Sequence, residues 1–558
     1  MQWRGIVGRS RKTSVRSAPG VEDTPDAGTR ARYEVITPAL LLLGPLFHQL
    51  RLHGYPLFRL DVLLVAAGTV IVGTILGLAI HRARLPLRLA IIVLVLAIVW
   101  DLYGTGGSLQ WAVISVGTVM LLVLTLRAHI TTITFAVSIP VLLSTLLPPI
   151  DRVETTSGSW SAEPGNRELP PVFHFVLDEH GGFAGLADDP ALVADLRAWY
   201  EERGFHVLPN AYSPYFDTYN ALPNLVNFST QSVDARNLHV SPGSPPAVRE
   251  NRYFDAMRAR GYGVRVYQSD YLDFCGGATP PALMSCLTYP ANSLSYAAGM
   301  ALPTPARARL LVHYLLANRS YFFDRALVLY DRRIRPTLAH AGASATLGPG
   351  RGGRVSPPIG EVLDRIEQDL AHGAGGTLFF AHLLVPHYPY QYDATCRVRE
   401  RLRDRLDRAS PSAPEGMDNT PASRERRLAL YGDQVRCLMR ELSTFFGTLD
   451  SRGVYDPAVV ILHGDHGSRI VLRRPEGRAN VGQLTRQDLL DGYSTLFAVK
   501  APGIPPGSDT ATAGIGELLS ALVTAEFRVA ELAPPRREPT VFIVDRPRGR
   551  LIPLAYPH

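Results

Sequence analysis

The sequence predicts a multi-helix transmembrane domain followed by an α/β domain with a mostly parallel central sheet. Three observations carry that expectation. Long apolar runs crowd into the first 150 of the 558 residues. Beyond them, short runs rich in Val, Ile, Phe and Leu alternate with helix-length stretches. Polar clusters fall at the ends of those short runs. The composition agrees: 46% of residues are hydrophobic and only 19% charged, where a soluble protein usually carries about a quarter. These values exclude a disordered or collagenous chain and disfavour a purely soluble one. The net charge of +7, from 57 basic and 50 acidic residues, is spread along the chain, so no nucleic-acid partner is expected.

The apolar runs are Tyr33–Leu52, Val62–Ile80, Leu89–Leu102, Leu109–Leu126 and Thr131–Leu147. Each approaches the ~20 residues needed to cross a bilayer, and a series of them is not a signal peptide. Residues 1–32 form a basic arm with Arg4, Arg9, Arg11, Lys12 and Arg16. Arg82, Arg84, Arg88 and Arg127 lie in connections on the same side, whereas Tyr103–Ser108 has no basic residue. The positive-inside rule then puts the arm in the cytoplasm. Five crossings over residues 33–150 leave residues 151–558 outside. Arg51 and Arg59, in the first short loop, run against this rule. The cysteines fit an oxidising side: Cys275, Cys286, Cys396 and Cys437 all lie in the outer part. Pairing in chain order, 275–286 and 396–437, is the simplest of three connectivities.

Strands are expected at Val172–Leu177, Gly204–Leu208, Val264–Gln268, Thr377–Leu383, Val459–Leu462 and Thr495–Lys500. Helices are expected at Pro190–Arg203, Val248–Arg260 and Ile359–Leu370. Such alternation indicates a parallel sheet covered on both faces. Ligands then bind beyond the carboxyl ends of the strands. Ala339–Pro358 reads as a Gly/Pro-rich loop, and Arg397–Arg427 as a charged excursion.

Four clusters could share one site. Asp178-Glu179 ends the first strand. Adjacent carboxylates there need a cation or donors, or else cap a helix. His463-Gly464-Asp465-His466-Gly467 follows another strand, and offers oxygen and nitrogen ligands side by side for Zn²⁺ or Mn²⁺. His382-x4-His387 could hold a phosphoryl oxygen, act as a general acid, or be structural. Thr218, in Thr218-Tyr219-Asn220-Ala221-Leu222-Pro223, gains meaning only if a metal lowers its hydroxyl pKa.

Together these motifs resemble the alkaline-phosphatase/sulfatase superfamily, in its membrane-anchored branch of lipoteichoic-acid synthases and phosphoethanolamine transferases. The resemblance implies an alkaline-phosphatase-like (sulfatase-like) fold for the outer domain. It also implies one divalent ion (Mn²⁺, Zn²⁺, Mg²⁺ or Ca²⁺) held by Glu179, Thr218, Asp465 and His466. Asp178 matches the extra carboxylate found in sulfatases. Thr218, five residues before Pro223, matches the nucleophile. His387, with Pro389 and Tyr390, matches the region that contacts the transferred group. His382 and Arg469 join it as substrate-binding candidates. The Cys-x-Pro-x-Arg sulfatase signature is absent, as is the His that usually follows Asp-His-Gly in the phosphoethanolamine branch. Arg469 would supply that positive charge. The expected activity is transfer of a phosphoglycerol-like headgroup from a membrane phospholipid or lipid-linked donor to a cell-envelope glycan or lipid. The setting would be a bacterial inner membrane, with the catalytic domain extracytoplasmic. A membrane-anchored phosphatase, phosphodiesterase or sulfatase-type hydrolase, and a non-catalytic envelope-assembly protein, are the alternatives.

Overall fold

The computed structural model describes residues 27–103, 109–125, 129–146, 156–159, 165–229, 237–240, 245–276, 282–319, 322–323, 358–399, 420–527, 538–545 and 550–557. Most of the basic arm, the Gly/Pro-rich loop up to residue 357, and residues 400–419 of the charged excursion lie outside these.

Five apolar helices come first: α1 (Ala27–Leu52), α2 (Leu60–Arg82), α3 (Leu85–Tyr103), α4 (Leu109–Thr125) and α5 (Ile130–Leu146). The first three are long and apolar enough to cross a membrane, and α4 and α5 have 17 residues each. Leu64, Ile71 and Ile75 of α2 point away from the protein, as lipid-facing side chains do. The opposite face of α2 carries Gly73 and Gly77. A Cβ on Gly73 would lie 2.4 Å from Ala39 Cα, and one on Gly77 2.3 Å from the Val35 carbonyl. This is a small-xxx-small contact, in which missing side chains let two backbones approach. Glu34 of α1 is buried and pairs with His81 (3.0 Å) and Arg88.

The α/β domain is built on a nine-stranded sheet in the order β1-β7-β6-β8-β2-β9-β10-β3-β11. Its strands are β1 (Thr156–Ser159), β2 (Val172–Leu177), β3 (His206–Leu208), β6 (Gly263–Ser269), β7 (Ser285–Tyr289), β8 (Thr377–Leu383), β9 (Val459–Gly464), β10 (Phe497–Lys500) and β11 (Gly507–Ser508). The run β7-β6-β8-β2-β9 is parallel. Strand β10 is antiparallel to both β9 and β3. Short pairs β4–β5 (Leu238–His239, Ala247–Val248) and β12–β13 (Thr540–Asp545, Arg550–Ala555) stand apart.

The central strands are buried on both faces, and their period of two sorts the side chains between two cores. Phe173, Phe175 and Leu177 face one layer, made by α6 (Pro190–Glu202) with two later helices, Ile359–Leu370 and Pro421–Ser451. Val172 and Val176 face the other, against α7 (Thr218–Leu225), α8 (Arg252–Ala259) and the helix Ile515–Thr524. Between β7 and the helix at 359 come α9 (Leu294–Gly299) and α10 (Thr304–Arg319), which pack on α1 and α2. The later helices are α11 (Ile359–Leu370), α12 (Pro421–Ser451), α13 (Arg486–Tyr493) and α14 (Ile515–Thr524).

The charged excursion ends earlier than the sequence reading has it. Thr420 caps α12, its hydroxyl accepting from Ser423 N (3.2 Å), with Pro421 in the first turn. Arg424 and Arg427 are therefore helical and buried. Both disulfides join the cysteines in chain order, Cys275–Cys286 and Cys396–Cys437.

Candidate metal-assisted active site

Strand register creates the site. Leu177, the last residue of β2, lies opposite Leu383 of β8 and Gly464 of β9. Asp178 and Asp465 therefore leave neighbouring parallel strands at the same height. Gly464 is a steric requirement: a Cβ there would sit 2.3 Å from the His180 carbonyl and 2.4 Å from Thr495 Oγ1.

Ligand atoms of Asp178, Asp465 and His466 lie within 4.8 Å of one another, and all three residues are buried. His466 Nε2 is 3.2 Å from Asp465 Oδ2 and 3.8 Å from Asp178 Oδ1. Both Asp178 oxygens and Asp465 Oδ2 lack a hydrogen-bond partner. Unpaired buried carboxylate oxygens are strongly unfavourable in a dry interior. Burial first, and the Asp465 charge second, push the Asp178 carboxyl up to about 7. Two acidic oxygens and an imidazole nitrogen in this state fit a divalent ion. A second close group, Cys396, Cys437 and Glu441, has both sulfurs committed to a disulfide.

Thr218 is the first residue of α7, after the cap Asp217, whose carboxylate accepts from Asn220 N (3.1 Å). Its Oγ1 is 3.2 Å from His466 Nε2. Thr218 thus stands against the convergent group.

Glu179 faces elsewhere. Arg469 Nε donates to its Oε1 (2.6 Å), and His387 Nε2 lies 3.5 Å from the same oxygen. Burial opposes ionisation of Glu179, but the Arg469 guanidinium prevails and holds the carboxyl down at about 2. Arg469 Nη2 also donates to His387 Nε2 (2.9 Å), which makes that nitrogen an acceptor. The structure therefore brings Asp178, not Glu179, together with Asp465 and His466, while Glu179 pairs with Arg469 beside His387. His382 lies behind Asp178, its Nε2 3.6 Å from Oδ2, with no exposed side-chain surface. Burial lowers its pKa to about 4.

Glu179 and Arg469 share a backbone feature. Their φ angles are 65° and 54°, in the left-handed region. Glu179 N donates to Asp465 Oδ1 (3.1 Å), and Arg469 N donates to the Asp491 carbonyl (2.9 Å). Arg424 holds the Asp491 carboxylate through two bonds of 2.8 and 2.9 Å.

Other residues escaped the sequence reading. On α12, Tyr431 OH donates to the Glu179 carbonyl (2.9 Å) and accepts from Gly181 N (2.8 Å). One turn on, Gln434 Nε2 donates to the Pro386 and His387 carbonyls (3.0 and 3.1 Å), and its Oε1 accepts from Gln391 N. One helix face thus secures both the Glu179 turn and the His387 turn. Their signal was a buried polar pair at i, i+3 on an apolar face. Beneath the ligands, His174 Nε2 meets His463 Nε2 at 2.7 Å, and His174 Nδ1 meets Tyr253 OH at 3.0 Å. On the rim, Phe216 lies under Arg469 and Arg474, and Tyr219 stacks on Tyr271.

No protein-family model matches the chain, and no curated protein matches it. Among solved structures it is similar to the phosphonate monoester hydrolase SpPMH from Silicibacter pomeroyi, at 16% identity and a TM-score of 0.39, over 67% of this chain and 79% of that one. It is similar to the phosphonate monoester hydrolase of Agrobacterium radiobacter at 13% identity and a TM-score of 0.39, over 67% and 80%. It is also similar to the C-terminal periplasmic domain of EcEptC from Escherichia coli, at 12% identity and a TM-score of 0.38, over 74% and 96%.

Proposed function

We propose that the chain is a membrane-anchored, metal-dependent transferase that moves a phospho-headgroup from a lipid donor to a cell-envelope acceptor through Thr218. The observation that carries this reading is the buried convergence of Asp178, Asp465 and His466, with unpaired carboxylate oxygens, against the Thr218 hydroxyl. A divalent ion held by Asp178, Asp465 and His466 would lower the pKa of the Thr218 hydroxyl and offset charge on the phosphoryl group.

The remaining steps belong to the chain. The Thr218 Oγ1 lies 3.2 Å from His466 Nε2, at the edge of the three converging residues, and its proton passes to the leaving lipid alcohol. Oγ1 attacks phosphorus, the bond to the lipid alcohol breaks, and that alcohol leaves with a proton. Arg469, held by Glu179 and by the His387 nitrogen that accepts from it, stabilises the developing charge on the phosphoryl oxygens. An acceptor hydroxyl then attacks the phospho-threonine, transfers its proton, and releases Thr218. Apolar helices α1–α3, the basic residues of the arm and connections, and two disulfides on the far side support an extracytoplasmic domain at an inner membrane.

One observation favours a second reading. Asp178, matched to the sulfatase carboxylate, joins the convergent group in place of Glu179. A hydrolase, with water as acceptor, would follow. Intact-mass and peptide analysis of purified protein incubated with envelope lipids tests both. A phosphodiester-sized adduct on Thr218 that persists until a hydroxyl acceptor is added supports transfer. An adduct discharged at once by water supports hydrolysis. No adduct during turnover removes the covalent route.

A further inference from the structure

The linker at residues 147–155 is the covalent join between the apolar helices and the α/β domain, but a second join is built from side chains. Helices α9 and α10 sit on the tip of the α1–α2 hairpin. Leu46, Leu50 and Val62 pack against Leu294, Leu310 and Leu311 in one buried cluster. Arg307, Leu310, Leu311 and Tyr314 follow i, i+3, i+4, i+7, so α10 presents a single face to the hairpin.

At the centre is Asp61, 2% exposed. Tyr55 OH donates to it (2.5 Å), Arg59 Nε donates to it (3.3 Å), and Arg307 Nε lies 3.3 Å away. Arg59 and Arg307 both donate to the Ala298 carbonyl, at 2.9 and 3.3 Å. The His53 ring meets Ser293 Oγ at 3.3 Å and Tyr314 OH at 3.2 Å. Arg59, which ran against the charge rule in the sequence, is thus committed to this contact. The hairpin's other side is open: Phe58 is 92% exposed, and Trp100, near the same end of α3, is 51% exposed. Trp and Tyr rings at helix ends sit at headgroup level, which gives Trp100 the depth of a bilayer interface.

The junction also reaches the site. Ala291 N, two residues before Ser293, donates to the Asp270 carboxylate. The next residue, Tyr271, stacks on Tyr219, the neighbour of Thr218.

We infer that this junction seats the catalytic domain on the outer ends of α1–α3 at a fixed height, which selects phosphate esters displayed at the bilayer surface over esters in solution. The inference rests on the headgroup reading above for its substrate and on the contacts alone for the seat. None of Asp178, Thr218, His387, Asp465, His466 and Arg469 takes part in the seat, so breaking it should leave the site's own contacts intact. What falls is the effective concentration of a membrane-held substrate at the site.

The test uses the full chain in nanodiscs, wild type against Arg307→Ala and the milder His53→Ala. One probe is bis(p-nitrophenyl) phosphate in solution, and the other is phosphatidylglycerol with a fluorescent acyl chain in the disc. Hydrogen exchange is read over residues 294–315 without substrate. The expected result is faster exchange in both variants, and a loss of about tenfold or more on the lipid probe. Turnover of the soluble ester should stay within about twofold. Equal losses on both probes, or an unchanged lipid rate with exchange raised, would overturn the selection. If wild type turns over neither probe, the headgroup reading fails instead, and exchange alone decides the seat. Protection in wild type that is lost in Arg307→Ala supports it, and rapid exchange in both removes it.

Discussion

The two halves of the site are built by different means. Asp178, Asp465 and His466 project from the ends of adjacent parallel strands, so sheet register alone aligns them. Glu179, Arg469 and His387 lie on turns: the Tyr431 and Gln434 side chains of α12 hold the Glu179 and His387 turns, and the Asp491 backbone carbonyl of α13 holds the Arg469 amide. A half set by backbone hydrogen bonds tolerates loss of a neighbour. A half set by side chains does not. Substitutions should therefore separate ion binding from charge stabilisation.

The largest effects are expected at the register-built half. Asp465→Ala should lose bound metal and turnover together, measured by elemental analysis and by lipid headgroup release. Unchanged occupancy would remove Asp465 as a ligand. Thr218→Ala should lower turnover by at least about 10³-fold while metal stays bound, and Thr218→Ser should recover part of it. Asp178→Asn against Glu179→Gln sharpens the contrast: the first should release metal on dialysis and the second should retain it. Metal lost from Glu179→Gln alone would return Glu179 to the ligand set.

Next comes the turn-built half. Arg469→Gln should cost about 10²–10³ in turnover with occupancy unchanged. Tyr431→Phe, which touches no substrate, strands the Gly181 amide and the Glu179 carbonyl. It should lower stability by about 1–3 kcal/mol in thermal melts, with a smaller loss of turnover. A melt identical to wild type would show that water replaces the hydroxyl at no cost.

The smallest effect is a pH dependence of folding in chelated protein. Burial holds His180, His382 and His463 at about 4, against 6.5 when free. Between pH 6.5 and 4 the unfolded chain takes up protons that the folded one refuses, so stability falls as pH falls. Asp178, raised to about 7, and Asp491, raised to about 6, work in the opposite direction, while His174, lowered by burial, adds to the histidine side. A melting temperature flat across this window would mean that one of the imidazoles is hydrated.

The register-built half was also the more legible in the sequence. Val172–Leu177 and Thr377–Leu383 were expected at the bounds observed, because each is a mainly apolar run with sharp borders that opens directly after a breaker, Pro171 or Gly376. Asp465 and His466 stood out for the same reason, as polar residues directly after such a run. That Asp178 alone of the two adjacent carboxylates meets Asp465 and His466 was not readable, since the sequence reading gave both to the ion. Which of two adjacent carboxylates turns inward depends on Arg469, 290 residues away. The grip of Tyr431 and Gln434 was missed because the start of α12 read as part of a charged excursion. The Gly73-x-x-x-Gly77 contact was in plain view within an apolar run, but hydropathy counting passes over it.

The left-handed backbone at Glu179 and Arg469 has a consequence for how this gene can drift. A side chain in that conformation costs roughly 1–2 kcal/mol that glycine would not incur. Mutation toward glycine at either codon would therefore relieve the backbone while destroying the ion pair. If the ion pair serves the chemistry proposed above, selection for that chemistry would oppose the change. Loss of one partner also removes the reason to keep the other. In descendants that abandon the chemistry, both positions should decay together, and glycine at residue 179 would mark a lineage in which position 469 is already free to change.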